Sequence, residues 1–383
     1  MCRHSRRGVL STMLVSIACT LVVTRFMLPT CSNLSTRSVD SRSPRPAESS
    51  SQASFFEAYP WESSNFSECI ALENFPKPHV QSFVDLPCLN TPFFKLRESK
   101  VSEIPLDFPI LSNHICEEKV SVLFVLPSVA DEKTKNIRLS IRKTWASRFY
   151  GADWRQTSDM KMAFFFGSAG LNQDALDALY RESSTYGDVV VGNFNDTYGN
   201  LSLKMAVIIS WVAKFCPSVE AVVKVDMDTF VNVDLLLHIL TEIPKEEHPA
   251  YVLGVQHTFP MPPVIRTGRW AVPKSQYPLD VFPRYMQGHS YVISGPAVRL
   301  IAPSFPYFPI VANEDAFVTG IMSQVHNITR FHSSFAEEHT ENRIQKFRQN
   351  AIVSIVLKGE DRQKLWDRQK LWQSTKTKKC YVS

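Results

Sequence analysis

The chain has 383 residues, enough for one large domain or two ordinary ones. Hydrophobic residues make up 44% of it and aromatic residues 11%, so it can bury a core, which excludes global disorder. The 42 Lys and Arg residues barely exceed the 37 Asp and Glu residues, and a net charge of +5 argues against a nucleic-acid-binding protein.

A basic cluster and an apolar run open the chain. Basic residues up to Arg7 precede a mostly apolar run over 8–28, which is long enough to cross a bilayer. Because basic clusters stay on the cytoplasmic side, the pattern predicts a cytoplasmic tail at 1–7, a signal anchor at 8–28 and a luminal remainder. The alternative is a cleaved signal peptide, but the length of the run and the lack of a clear cleavage site favour the anchor.

The segment 29–118 precedes the main domain. Residues 30–54 are rich in Ser, Pro and Arg, which predicts a flexible stem, and 55–118 predict an irregular extension that drapes over the main domain. A luminal position also predicts disulfides, whose pairing the sequence does not reveal. N-glycosylation sequons occur at Asn33, Asn65, Asn195, Asn200 and Asn327.

Short apolar runs alternate with helical patterns over 119–360, where we expect the catalytic domain. The runs predict strands at 119–128, 160–168, 188–194 and 221–226, and the helical patterns lie at 135–150, 174–187, 200–216 and from 233. This alternation predicts an α/β fold with a mostly parallel sheet and helices on both faces. Ligands of such sheets bind outside the carboxyl ends of the strands.

The last stretch, 361–383, is basic and contains the tandem hexapeptide DRQKLWDRQKLW. We expect it to form a tail outside the catalytic domain. The duplication is typical of a local expansion and not of a repeat architecture.

Two carboxylates follow the apolar run at 221–225. Asp226 and Asp228, one residue apart at a strand end, can share a hard divalent cation that in turn holds a diphosphate. The plainer interpretation is a pair of turn aspartates with Lys224 as a salt-bridge partner, and the motif alone favours it. Their position at a strand end and the luminal topology bring the two interpretations to equal weight.

Two further clusters combine charge with position. Arg138 and Arg142 lie four residues apart on one helix face after the first strand, where phosphates often bind; a solvated basic face is the alternative. Glu314 and Asp315 lie between apolar segments, and an inverting sugar transfer needs such a carboxylate as general base. The alternative is a helix N-terminus capped by Asn313, and both interpretations can hold at once.

Ordered blocks over 119–320 resemble the luminal β-1,3-glycosyltransferases, which include β-1,3-galactosyltransferases, β-1,3-N-acetylglucosaminyltransferases and fringe proteins. The blocks are RLSIRKTW, FFFG, YGDVVVGNFNDTYGNLSLK, WVAKFCP, VVKVDMDTFVNV, WAVPKSQYPLDVFPRYMQGHSYVISG and NEDAFVTG, in that order. The tyrosine and proline pattern within the sixth block is most similar to the galactosyltransferase branch.

The resemblance implies a Rossmann-like GT-A-type fold, a UDP-sugar donor, Mn²⁺ or Mg²⁺, and single-step inversion to a β1,3 linkage. It implies that Asp226 and Asp228 hold the metal, mainly Asp228, and that Asp315, next to Glu314, is the general base. The residues that it implies for the nucleotide are Arg138, Arg142, Asp196, Lys204 and Asp226. Those that it implies for the donor sugar and acceptor are Trp270, Tyr277, Gly288 and His289.

Three departures from the family pattern bear on activity. Met227 stands between the acids where many members have Asp, and Met286 and His289 replace Cys and a small residue beside the acceptor. The resemblance also implies a metal-binding histidine in a strand beyond the Glu-Asp block, but the corresponding stretch, 350–366, contains none. The histidines His326, His332 and His339 could replace it only in a rearranged loop.

These observations predict a Golgi type II membrane β-1,3-galactosyltransferase that transfers galactose from UDP-galactose to a terminal GlcNAc or GalNAc of a glycoprotein or glycolipid. The near alternative is β-1,3-N-acetylglucosaminyl transfer, and the alternative from another class is an inactive family member that acts as a luminal binding partner. The expected partners are UDP-galactose, a glycan acceptor and the Golgi membrane, and assembly with itself or other glycosyltransferases stays open. A sulfotransferase is disfavoured because LFVLPSVADEKTKN lacks the glycines of a phosphate loop.

Overall fold

The computed structural model describes residues 80–82, 91–150, 159–257, 262–333, 336–337, 353–355 and 362–370. The predicted cytoplasmic tail, the anchor at 8–28, the stem at 30–54, the sequons at Asn33 and Asn65, and His339 lie outside these residues. Within them, no helix has both the length and the apolar character that crossing a bilayer requires.

The strands form two sheets. They are β1 Val80–Ser82, β2 Val122–Pro127, β3 Met160–Ala169, β4 Val189–Asn195, β5 Ala221–Val225, β6 Thr229–Val231, β7 Tyr251–Gln256, β8 Met286–Ser294, β9 Thr329–Ser333, β10 Ala336–Glu337 and β11 Val353–Ile355. The main sheet has eight strands in the order β1-β9-β7-β8-β5-β2-β3-β4. The small sheet has the order β10-β11-β6.

The helices lie mostly between the strands of the main sheet. They are α1 Glu132–Lys143, α2 Gln173–Tyr186, α3 Leu201–Phe215, α4 Val233–Glu242, α5 Gly295–Ile301, a π-helix Ala316–Met322, α6 Ser323–Val325 and α7 at 362–370. Short 3₁₀ turns are Pro92–Phe94, Asn113–Cys116, Ser147–Phe149, Tyr198–Asn200 and Ala302–Tyr307.

The elements β2 to β5 and α1 to α4 match those predicted from the alternation of apolar runs and helical patterns. The strand β2 is buried along almost its whole length, as a strand covered on both faces should be. The predicted end of α2 is also confirmed, because Gly187 has a φ of 69°, the left-handed conformation that glycine adopts at little cost.

The sheet is mixed, and so less parallel than predicted. Four pairings are parallel, β2/β3, β2/β5, β3/β4 and β7/β9. The pairings β1/β9, β5/β8 and β7/β8 are antiparallel. Antiparallel neighbours need no crossover helix, and the described part of the connection between β7 and β8 contains no helix.

Helices cover both faces of the sheet, as predicted. Successive side chains of a strand point to opposite faces, and β3 shows this directly. The guanidinium of Arg142 on α1 lies 4.8 Å from the ring centroid of Phe164. The next residue, Phe165, packs against Trp211 on α3 with 5.4 Å between ring centroids.

The segment that precedes β2 packs on the main domain. Phe93 makes edge-to-face contacts with Tyr277 and Phe308, with centroid distances of 5.0 and 5.4 Å. A disulfide joins Cys116 to Cys216, directly after α3. The sequence predicts a stem and an irregular extension over 29–118. In the structure, β1 lies within this range, pairs with β9 and is therefore an edge strand of the main sheet.

The helix α7 replaces part of the expected C-terminal tail. Leu365 is 2% exposed and belongs to the core, while Gln369 Nε2 donates to Asn232 Oδ1 at 3.4 Å. The buried residues Arg362, Leu365 and Gln369 are spaced by three and four positions, which puts them on one helix face. The hexapeptide is therefore an amphipathic helix in its described part, and the prediction of a tail is wrong for 362–370.

Candidate active site

The carboxyl ends of the central parallel strands meet at one edge of the sheet. Val125 of β2 pairs with Lys224 of β5, so the loop after β2 lies beside Asp226. This is the edge where ligands of such sheets bind, and it is where the sequence places the two carboxylates.

The ammonium group of Lys224 contacts several residues of this site. Its side chain is 1% exposed, and Nζ donates to Asp226 Oδ1 at 2.6 Å and to the carbonyl of Gly288. The same Nζ lies 3.5 Å from Glu314 Oε2. Burial lowers the pKa of Lys224, but the charges of Asp226 and Glu314 raise it by more, so the amine stays protonated.

Glu314 and Asp315 come to this lysine from the start of the π-helix. Glu314 is 5% exposed and accepts a hydrogen bond from Tyr291 Oη. Burial raises the pKa of Glu314 more than Lys224 and Tyr291 lower it. Burial and the charge of Glu314 together raise the pKa of Asp315 to about 7. Asp315 can therefore exchange a proton near neutral pH.

Asp315 is held in place by its own helix. Its Oδ1 and Asn313 Oδ1 both accept from the backbone N–H of Ala316, each at 3.1 Å. Thr319 Oγ1 donates to the carbonyl of Asp315 at 2.6 Å. Both interpretations of this segment are thus compatible, because a helix-capping carboxylate also faces the site.

Gly288 and His289 of β8 complete the wall of the site. A Cβ on Gly288 would lie 3.2 Å from Asp315 Oδ2, so a side chain there would press on the carboxylate. The backbone N–H of Asp226 donates to the carbonyl of His289 at 3.0 Å. Burial and the charge of Lys224 lower the pKa of His289 to about 4, so its imidazole is neutral at physiological pH.

Asp228 is partly exposed and lies in the same loop as Asp226, residues 226–228 between β5 and β6, which we call the acidic loop. Burial and the charge of Asp226 raise its pKa, and nearby cations only partly oppose that rise. The carboxylates of Asp226 and Asp228 therefore lie close enough to interact electrostatically.

The described residues contain no third protein ligand for a metal. Across these ranges, no three His, Cys, Asp or Glu side chains converge in a way that would hold an ion. The strand β11 lies beside β6, which directly follows Asp228, but its sequence VSI has no histidine. His332 lies on β9, three strands away from β5, and its Nδ1 accepts from the N–H of Gln256 at 3.1 Å.

Asp196 directly follows β4, and Lys204 lies in the first turn of α3. Their ion pair measures 2.7 Å, and Lys204 Nζ also donates to the carbonyl of Ser128 at 2.5 Å. Asp196 Oδ2 accepts from the N–H of Gly167 at 2.9 Å. The pair thus links the ends of β2, β3 and β4, next to the acidic loop.

Arg138 and Arg142 lie in a buried ion-pair network. Arg138 pairs with Glu182 at 2.6 Å, and Arg142 pairs with Glu182 and Asp188, both at 2.7 Å. The predicted alternative of a solvated basic face is wrong, because all four side chains are buried. Contact with a nucleotide would require these charges to leave their carboxylates, so the geometry supports a structural role.

The two aromatic residues expected beside the sugars differ in exposure. Trp270 is 57% exposed and its Nε1 donates to Tyr198 Oη at 2.9 Å. Tyr277 is fully buried, and its hydroxyl donates to the carbonyl of Val281 at 2.9 Å. Tyr277 therefore supports the wall from the core and does not border a ligand in this arrangement.

The sequence reasoning missed two features of this site. From the sequence, Lys224 is expected only as a salt-bridge partner of two turn aspartates. A single lysine within an apolar strand nevertheless indicates a buried cluster of charges. Tyr291 lies within a resemblance block but was not singled out, and no spacing in the sequence links it to Glu314.

The sequons within the described residues differ in accessibility. Asn195 and Asn327 are exposed. Asn200 is partly buried, and its Nδ2 donates to the carbonyl of Asn195 at 2.9 Å. The first two offer their amide to a modifying enzyme more readily than the third.

Comparisons with known proteins agree on one family. The family model described as Galactosyltransferase matches residues 136–334, slightly more than half of the chain. The chain is 30% identical over 242 residues to beta-1,3-galactosyltransferase 5 of Mus musculus, covering 62% of this chain and 71% of that protein. It is 29% identical over 232 residues to beta-1,3-galactosyltransferase 1 of Mus musculus, covering 60% and 68%.

Similarity to solved structures is much weaker. The galactosyltransferase LgtC, in complex with donor and acceptor sugar analogs, aligns with a TM-score of 0.32 and 9% identity, covering 62% of this chain and 87% of that one. Mouse xyloside xylosyltransferase 1 aligns with a TM-score of 0.32 and 10% identity, covering 63% and 98%. Scores this low do not define the fold.

Proposed function

The chain belongs to the Galactosyltransferase family and is a hexosyltransferase, and from this premise we propose that it is an inverting β-1,3-galactosyltransferase of GT-A type. The proposed donor is UDP-galactose, and the proposed acceptor is the 3-hydroxyl of a terminal GlcNAc or GalNAc. The observation that carries the proposal is the cluster of Asp226, Lys224, Glu314 and Asp315 at the carboxyl ends of the strands.

Asp315 is the proposed general base. As its carboxylate accepts the proton of the acceptor hydroxyl, the hydroxyl oxygen forms a bond to the anomeric carbon of galactose. The bond from that carbon to the diphosphate breaks, and UDP leaves with the electron pair. A base whose pKa is about 7 suits this step, because near neutral pH it is partly deprotonated and still basic.

Glu314 and Lys224 act on the pKa of Asp315 and are not proposed to contact the substrate. The charge of Glu314 raises the pKa of Asp315, and Lys224 opposes that effect. Tyr291 and Lys224 hold the carboxylate of Glu314. The cluster therefore tunes the base by burial and by like charge.

The residues present fit a hard divalent cation, Mn²⁺ or Mg²⁺. Asp226 and Asp228 would hold it, since two carboxylates that interact electrostatically within one loop supply the oxygen ligands that such ions prefer. Ions of this type are often bound by one or two carboxylates together with water and substrate phosphates, so a third side chain is not required. When bound, the ion would neutralise the diphosphate of the leaving group.

The nucleotide and the sugars are proposed to lie along the same sheet edge. Asp196 and Lys204 border the side where we propose UDP to bind, and Trp270 offers an exposed ring to a sugar. His289 borders the acceptor side and narrows it compared with a small residue.

We also propose that the chain is a type II membrane protein of the Golgi with a luminal catalytic domain. The N-terminal charge pattern supports this topology. The disulfide between Cys116 and Cys216 supports it as well, since disulfides persist in oxidising compartments.

Donor turnover tests the function. The full-length protein would be assayed for UDP release from UDP-galactose and UDP-GlcNAc, with GlcNAc- and GalNAc-terminated acceptors, in Mn²⁺, Mg²⁺ or EDTA. We expect UDP-galactose to be the better donor. Asp315→Asn should lower kcat at least about 100-fold with little change in KM for the donor, because general-base catalysis contributes a factor of this order.

An exposed aspartate on α2 supplies the control. Asp174→Asn should leave kcat unchanged within about twofold, since exposed substitutions away from a site have small effects. Preference for UDP-GlcNAc would favour the N-acetylglucosaminyltransferase alternative. UDP binding without turnover on any acceptor would favour an inactive binding partner.

A further inference from the structure

The first residue of α7 lies under the acidic loop. Arg362 is 2% exposed, and its Nη2 donates at 2.7 Å to the carbonyl of Met227, the residue between Asp226 and Asp228. Its Nη1 lies 3.4 Å from Ser140 Oγ on α1. The guanidinium therefore joins the loop to the helix behind it, and its buried Nε finds no hydrogen-bond acceptor among the described residues.

Arg362 and Asp228 are electrostatic neighbours. Burial lowers the pKa of Arg362 to about 10, and the charge of Asp228 opposes that shift. A buried guanidinium is costly unless opposite charge is near, and the acidic loop provides that charge.

The two copies of the hexapeptide do not play the same part. Arg362 and Arg368 occupy the same position in the repeat, but Arg362 is buried at the loop while Arg368 is only partly buried. A shift of six residues turns a helix by about 600°, so equal positions of the two copies face directions about 120° apart. Arg362 therefore faces the loop, and the equivalent position in the second copy faces another direction.

We propose that Arg362 is a positioning residue of the donor site, which holds the carbonyl of Met227 so that the carboxylates of Asp226 and Asp228 can bind a divalent cation. This inference rests on the proposed function. The helix that carries Arg362 follows β11, the strand beside β6 in which no histidine is found. The contact would orient the loop that carries the two carboxylates without itself touching the ion.

Metal and nucleotide binding to the full-length protein test this proposal without relying on turnover. Mn²⁺ alone would be titrated by electron paramagnetic resonance, and UDP with Mn²⁺ and uridine without metal by calorimetry. Arg362→Gln should weaken Mn²⁺ binding about tenfold or more, because contacts that orient metal ligands typically contribute a factor of 10 to 100. UDP affinity should fall with it, while uridine affinity stays within about twofold, since uridine has no phosphate to bind the ion.

The matched control is Arg368→Gln, at the same position in the second copy. We expect its Mn²⁺ and UDP affinities to remain within about twofold of those of the unaltered protein, as its position faces a direction about 120° from that of Arg362 on α7. Equal Mn²⁺ affinity in Arg362→Gln and the unaltered protein would overturn the proposal. So would an equal loss of UDP and uridine affinity, which indicates a general loosening of the fold.

A second variant keeps the test decisive if Arg362→Gln does not fold. Arg362→Lys keeps the charge but loses the forked guanidinium that reaches Met227 and Ser140 together. We expect an unchanged melting temperature and Mn²⁺ affinity weaker by about threefold or more; unaltered Mn²⁺ affinity contradicts the proposal.

The Mn²⁺ titration also separates this proposal from the proposed function. A protein whose Mn²⁺ affinity depends on Arg362 but that turns over no UDP-sugar refutes only the proposed function. One that turns over UDP-galactose equally well in EDTA and binds no Mn²⁺ refutes the metal site and the role of Arg362, but not galactosyl transfer.

Discussion

Glu314 and Asp315 are adjacent in the chain but have different roles in the site. The carboxylate of Glu314 is held by Lys224 and Tyr291. Asp315 points to the neighbourhood of Gly288 and has a pKa of about 7 because it is buried beside a like charge. Two carboxylates that face different partners can serve as an electrostatic support and as a base, which is a common division of labour in active sites.

The pH dependence of activity follows from this pKa. Asp315 is protonated and inactive as a base below about pH 7, and deprotonated above it, so kcat/KM for the acceptor should rise with pH and level off above neutrality. Glu314→Gln removes the like charge that raises the pKa of Asp315 and should move the rising limb to lower pH. A pH profile with UDP-galactose measures this, and a limb that stays in place or moves to higher pH would contradict it.

At the scale of elements, α1 and α2 are joined by buried ion pairs. Arg138 and Arg142 of α1 share the carboxylate of Glu182 on α2, and Arg142 also binds Asp188 at the start of β4. The paired charges fix the two helices against the same face of the sheet. Such a network is sensitive to the loss of one member, because the charge that remains is buried without a partner.

The network predicts a large effect on stability. Glu182→Ala should lower the free energy of unfolding by about 3–5 kcal/mol, since it leaves two buried guanidinium groups without their shared carboxylate. The exposed acid on the same helix offers a comparison, and Asp174→Ala should cost less than about 1 kcal/mol. Urea unfolding followed by tryptophan fluorescence measures both, and equal losses would contradict the structural role of the network.

At the scale of the whole molecule, distant segments of the chain close around the central sheet. The extension before β2 is tied to the end of α3 by the disulfide between Cys116 and Cys216, which lie 100 residues apart. From the other end, α7 packs Leu365 into the core and Arg362 under the acidic loop. Both ends of the described chain therefore pack on the central domain, and α7 also contacts the acidic loop.

The disulfide should contribute strongly to stability because it closes a long loop. Replacing both Cys116 and Cys216 by Ser should lower the free energy of unfolding by about 3–5 kcal/mol, mainly through the greater entropy of the unfolded chain. The same unfolding measurement checks this value. An unchanged free energy of unfolding would mean that packing alone holds the extension.

The amino-acid sequence alone predicts the alternating strands and helices from β2 to α4 and the four acidic residues of the site. The apolar runs and helical periods from β2 to α4 are local signals, and Asp226, Asp228, Glu314 and Asp315 stand at the ends of such runs. The ends of strands and the starts of helices are properties of short segments, so they can be recognised without knowing what packs against them.

The contacts of each charged residue depend on the folded arrangement of the chain. In each case the sequence shows a charged residue beside an apolar segment. In the structure, Arg138 and Arg142 form a buried network, Lys224 is ion-paired, and Arg362 contacts the acidic loop. Apart from Lys224 and Asp226, these partners lie 40 to 135 residues apart in the chain. The field at a buried charge depends on the distances that folding sets, and sequence spacing does not contain those distances.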